Sequence, residues 1–176
     1  MTWDFIILGL VLAAIVSVFV STLMTAASPL PTSAAVRETM MAMLPADIDG
    51  PIYELGSGWG GLAVALAGRY PASQVRAYEV SVLPWAASRL RALLSGPENL
   101  SVRFGNFHKV DLSDAALVVC YLPGPAMEKL KPKLAADLKA GALVASNTFA
   151  LQGWTAADEK TASDIHMSRV YLYRVA

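Results

Sequence analysis

Residues 32–176 predict an α/β domain built on a mainly parallel sheet with helices on both faces. Three observations carry this. Short runs with strand character alternate with helical stretches of about 10–15 residues, the pattern of successive βαβ units. The run Ala115–Leu122 is almost wholly apolar, as expected of a strand buried on both faces. A glycine-rich segment, Gly56 to Gly61, follows one predicted strand and opens the next predicted helix. Residues 1–31 are a different object, dominated by a long uncharged stretch.

That stretch comes first in the chain. Phe5–Met24 spans 20 residues without a charge, Asn, Gln or Pro. As a helix it is ~30 Å long and matches the hydrocarbon thickness of a bilayer. Trp3 and Asp4 lie just outside it, where an amphipathic ring and a polar group meet the interface. Ser28-Pro29-Leu30-Pro31-Thr32 then ends the helix. A cleavable signal peptide would open with a positive segment and carry a shorter apolar stretch, ~7–15 residues. A core helix would rarely lack polar residues on every face. Residues 1–31 are therefore expected to be a single-pass membrane anchor and exit loop. Arg37, the nearest side-chain cation, places the C-terminal side in the cytoplasm.

Within residues 32–176, Ala34–Met43 reads as an amphipathic helix capped by Thr32 or Ser33. Ile52–Leu55 is a short strand, Leu62–Tyr70 a helix, Gln74–Val80 an alternating strand and Leu83–Leu94 a helix. Leu100–Phe104 and the Ala115–Leu122 run supply two more strands. Ala126–Ala140 is helical but interrupted at Pro132, which predicts a kink or two pieces. Ala142–Asn147 is a fifth strand, and Ser168–Val175 an antiparallel sixth. Lys129, Lys131, Lys133 and Lys139 read as a solvated helix face, and Met40, Met41 and Met43 as packing residues.

Composition narrows the function. Of 176 residues, 55% are hydrophobic and 16% charged, with 14 Lys+Arg against 14 Asp+Glu. That balance argues against nucleic acid as a partner, since no basic field is present to hold a polyanion. The single Cys120 excludes an intramolecular disulfide. With only His108 and His166 beside it, a zinc centre of thiolates and imidazoles is excluded too, and no metal is expected.

The glycine segment reads Glu54-Leu55-Gly56-Ser57-Gly58-Trp59-Gly60-Gly61. Glycines between a strand and a helix permit a tight turn and let backbone N–H groups approach a ligand at the carboxyl edge of the sheet. Glu79 ends the next strand, where a carboxylate can accept both hydroxyls of a ribose. A nucleoside-containing ligand follows. Gly56, Gly58 and Gly61 satisfy the dinucleotide spacing GxGxxG, which keeps an NAD-binding oxidoreductase as an alternative. Glu54 favours another ligand. An acid beside the loop repels a pyrophosphate but suits the ammonium and sulfonium charges of S-adenosylmethionine.

These residues resemble motif I and the following acidic position of class I S-adenosylmethionine-dependent methyltransferases. In that resemblance Glu54, Gly56, Ser57, Gly58, Gly60 and Glu79 bind the cofactor, Asn106 and Phe107 meet its adenine, and Tyr121 closes the pocket near motif IV. Pro31-Thr32-Ser33, Tyr121-Leu122-Pro123 and Ser146-Asn147-Thr148-Phe149-Ala150-Leu151 with Gly153-Trp154 are similar to one branch. That branch comprises small bacterial enzymes and the membrane-anchored mitochondrial protein-lysine methyltransferases acting on ATP synthase subunit c or the adenine nucleotide carrier. The mitochondrial members carry Asp at the Glu54 position and an acid at the Trp59 position. The resemblance implies a Rossmann-like class I sheet over residues 32–176 and a protein acceptor at or near the membrane. Tyr121, Asn147 and Thr148 are then the candidate catalytic residues, lining the acceptor pocket and orienting the nucleophile. A catalytically silent, membrane-held S-adenosylmethionine-binding scaffold is the alternative from another functional class.

Overall fold

The computed structural model describes residues 3–9, 12, 16 and 32–176. Most of the expected anchor, residues 5–24, lies outside the described residues. Among those described, no helix is long and apolar enough to cross a membrane.

The described chain runs α1 (Ala34–Met43), β1 (Ile52–Leu55), α2 (Gly61–Arg69), β2 (Val75–Glu79), α3 (Val82–Ser95), β3 (Leu100–Phe104), a 3-10 turn (Phe107–Lys109), β4 (Leu117–Cys120), α4 (Gly124–Asp137), β5 (Leu143–Asn147), β6 (Asp158–Thr161) and β7 (Arg169–Arg174). The sheet order is β3-β2-β1-β4-β5-β7-β6. The first five of these strands are mutually parallel, while β7 runs antiparallel to both β5 and β6. Strand order therefore reverses beside β1 and β4. In an open α/β sheet the crevice outside the carboxyl ends at such a reversal is the ligand position.

Alternation along the strands divides the interior into two layers. On one face, Val36, Met40 and Met43 of α1 and Leu62 and Leu66 of α2 pack over Ile52, Val75, Leu117 and Val119. On the other, Met127, Leu130 and Leu134 of α4 cover Leu55, Val118, Cys120 and Val144. Ser33 caps α1, its hydroxyl accepting from the Val36 N–H at 3.2 Å.

Two expectations are corrected. Pro132 neither ends nor splits its helix: α4 continues from Gly124 to Asp137 around it. Pro132 is exposed, so the carbonyl it deprives of a partner is on the wet side, while Met127, Leu130 and Leu134 hold the buried side. The strand at the C-terminus is also the seventh, because Asp158–Thr161 forms an extra edge strand.

Candidate active site

The glycine loop joins the carboxyl end of β1 to α2 at the middle of the sheet. Its start is stitched to β2: the N–H groups of Gly56 and Ser57 both donate to the Tyr78 carbonyl at 2.9 Å. Gly56, Gly58 and Gly60 all have positive φ, a backbone region costly to side-chain-bearing residues. Gly60 is the most constrained. A Cβ there would stand 2.3 Å from Ser88 Oγ and 3.0 Å from Ser88 Cα, so the absent side chain is what lets α3 approach the loop.

Glu79, ending β2, is buried and fixed by the same loop. Its Oε2 accepts from Gly58 N–H at 2.8 Å, and Oε1 accepts from Val80 and Ser81 N–H at 2.9 and 2.7 Å. Three donors hold the carboxylate in place, and an ionised carboxylate has about four lone-pair sites. It is thus oriented before any ligand arrives and retains capacity to accept from a hydroxyl.

Glu54 differs. It is only 4% exposed, and its Oε2 has no hydrogen-bond partner. Burial, and then the nearby Glu79 carboxylate, push its carboxyl up to about 8. Ser57 Oγ, Trp85 Nε1 and Ser88 Oγ are likewise buried without partners. Ser57 lies in the loop itself, and Ser88 abuts Gly60. Buried polar groups are ordinarily satisfied, so unsatisfied ones flanking a glycine loop fit a site that a ligand completes. The Glu54 oxygen lacks a partner, and a cation such as the ammonium or sulfonium of S-adenosylmethionine would supply one.

At the β3 end, Gly105 N–H donates to the Glu79 carbonyl at 2.9 Å, tying the following turn to the site. Asn106 caps that turn, with Oδ1 accepting from His108 N–H at 2.9 Å. Phe107 is half-buried against the α4-side core, its ring 4.6 Å from that of His108.

The acceptor end is formed by the next strands. Tyr121 follows β4 directly and is half-buried. Asn147, buried at the end of β5, accepts from the Thr148 hydroxyl at 2.9 Å. Thr148 itself has φ 65, and its N–H donates to Arg169 at 2.7 Å. A β-branched residue in the left-handed region is strained by about 1–3 kcal/mol and persists only where its surroundings impose it. Ser146 Oγ to the Phe149 carbonyl, and Phe149 N–H to the Asn147 carbonyl, supply that constraint at 2.5 and 2.7 Å. Cys120, directly before Tyr121, is no nucleophile: burial pushes its thiol up to about 12.

All the residues expected from the sequence thus lie on one edge of the sheet. Glu54, Ser57, Gly58, Gly60 and Glu79 form one connected cluster, with Asn106 and Phe107 on the β3 side and Tyr121, Asn147 and Thr148 on the other. Ser88 escapes sequence reading, because only the packing of α3 on the loop brings it there.

The sheet order, the loop and the paired acids define a class I methyltransferase. The chain belongs to the ANTKMT methyltransferase domain family, whose model matches residues 54–158. A protein-lysine N-methyltransferase of Saccharolobus islandicus is 31% identical over 150 residues, covering 81% of this chain and 90% of that one. Among solved structures, an RNA methyltransferase of Salinibacter ruber in complex with S-adenosyl-L-homocysteine aligns with TM-score 0.74 and 25% identity. That alignment covers 83% of this chain and 94% of the other. A precorrin-6y C5,15-methyltransferase of Geobacter metallireducens shares the fold at 15% identity and TM-score 0.65, covering 85% and 92% of the two chains. The protein is an S-adenosylmethionine-dependent methyltransferase, and the dinucleotide alternative falls away.

Proposed function

We propose that the protein is a protein-lysine N-methyltransferase, held at a membrane by residues 5–24 with its catalytic domain on the cytoplasmic side. The observation that carries the acceptor class is the kinship with the archaeal protein-lysine N-methyltransferase over nearly its full length. The uncharged stretch Phe5–Met24 supports the anchor. Overall neutrality supports a protein acceptor over RNA, which needs a basic surface.

Bound S-adenosylmethionine supplies a methyl group on a sulfonium whose sulfur leaves neutral, so no acid is needed at the leaving group. The chain's own task is alignment and exclusion of water. Glu54 offers a buried carboxylate to the cationic end of the cofactor, and Glu79 holds the ribose. Tyr121 and Thr148, on neighbouring strand ends about 5 Å apart, flank the line along which an amine approaches. A lysine reaches that line as the free amine, having given up its proton to solvent, and a partly desolvated mouth favours the uncharged form. Asn147 and Thr148, hydrogen-bonded to each other at 2.9 Å, would orient the amine lone pair towards the methyl group that the cofactor supplies.

The test is incubation of the purified full-length protein with isotopically labelled S-adenosylmethionine and native membrane and soluble fractions, followed by mapping of the modified residue. Labelled lysine Nζ is expected. Label confined to RNA or to another amino acid overturns the lysine assignment. Carbonate extraction tests the anchor separately, since a protein released by the wash does not span a bilayer.

A further inference from the structure

On the same sheet edge, beyond Thr148, stands the turn joining β6 to β7. Because β7 runs antiparallel to β5, with Asn147 opposite Val170, this turn projects past the carboxyl ends of the parallel strands. It belongs to the acceptor side of the site. Ile165 is 93% exposed and Met167 70% exposed. Two large apolar side chains held in water beside an active site require a reason.

The turn is rigid. Asp164 accepts from Ser168 N–H and from Ser168 Oγ, both at 2.8 Å, and its carbonyl accepts from Met167 N–H at 3.0 Å. Ala162 N–H closes the hairpin onto the Ser168 carbonyl at 2.8 Å. Met167 is left at φ 48, a left-handed conformation unfavourable for a methionine. Hydrogen bonds from Ser168 hold the Asp164 carboxyl below the usual range, so it is ionised at neutral pH. The hairpin from Asp158 to Arg169 carries three acids, Asp158, Glu159 and Asp164, against Lys160 and Arg169. Lys160 and Arg169 pair with Asp158 and Glu159, so Asp164 is the acid that remains beside His166 at the apolar tip, and its single negative charge complements a cationic, partly apolar polypeptide.

We propose that Ile165 and Met167 form an acceptor-docking tip that seats apolar residues flanking the target lysine. The inference rests on the lysine reading above. The tip lies one to two strand spacings beyond Thr148, about 5–10 Å. An extended acceptor therefore meets it about two to three residues from the methylated position.

The experiment uses lysine-centred synthetic peptides whose flanking positions are either leucine and valine or serine. Full-length wild-type protein and an Ile165→Ser/Met167→Ser variant are compared for KM, kcat and S-adenosylmethionine affinity. Both substitutions fall on exposed side chains, and an unchanged melting temperature checks that the fold is retained. The wild type is expected to show KM at least about fivefold lower for the apolar-flanked peptides, from burial of one or two side chains. In the variant that preference disappears, while cofactor affinity and the rate on serine-flanked peptides stay the same. A preference that persists in the variant overturns the docking role and leaves the lysine reading standing. A wild type that methylates no lysine peptide, yet labels another nucleophile, overturns the lysine reading itself.

Discussion

Glu54 and Thr148 are the two residues whose local physics departs furthest from the ordinary. With its carboxyl at about 8, Glu54 carries a proton in the ligand-free protein at pH 7. A cationic ligand binds the ionised form, so binding expels that proton. Cofactor affinity is therefore expected to fall as pH drops below about 8, by at most about tenfold per unit, and to level off above it. Calorimetric titration from pH 6 to 9 checks this; Glu54→Gln should flatten the profile. Linkage gives a second sign. The folded state holds a proton that the unfolded state loses above 4.5, so the ligand-free protein loses stability as pH rises from there towards 8. Thermal melts of Glu54→Gln should lack that decline. Thr148→Gly relieves a strained φ, and its melting temperature should rise, by about 1 kcal/mol of stability, while methyl transfer falls. The acids and glycines of this site were legible in the sequence because their spacing is local. The strain at Thr148 was not, since it takes the Ser146 and Phe149 hydrogen bonds of the turn together with the Arg169 carbonyl from another strand.

Helix α3 and the glycine loop depend on each other. Gly60→Ala forces a Cβ to within 3.0 Å of the α3 backbone at Ser88 and also strains φ, and it should cost about 2 kcal/mol or more. Circular dichroism melts measure the loss, and cofactor affinity should fall in parallel. Ser88→Gly in the same chain should recover part of both, because it removes the Oγ and Cβ that the new methyl meets. Elements with apolar periodicity, such as α1, β1 and β3, carry their boundaries in the sequence. β6 does not: Asp158-Glu159-Lys160-Thr161 has no buried face and is a strand only because β7 pairs with it. Conversely, Pro132 reads as a helix breaker, yet buried contacts on its opposite face carry α4 through.

At the scale of the whole molecule, the sheet gathers chemistry from four distant stretches of chain onto one edge. Glu54, Glu79, Tyr121 and Thr148 end β1 and β2 or follow β4 and β5, and parallel pairing alone makes them neighbours. The fold class was legible from alternation of strands and helices; the grouping followed once strand order was known. The neutral charge balance then acquires a meaning, for in the proposed site two local acids, rather than a field spread over the surface, would hold the cofactor. Central to this account is the clamp on the ribose. Calorimetric titration of S-adenosylmethionine into the wild type and Glu79→Ala tests it most directly. The wild type should bind in the micromolar range, and the variant at least about tenfold more weakly, as expected when charge-assisted hydrogen bonds are lost. Undiminished affinity in a folded Glu79→Ala protein would contradict the account.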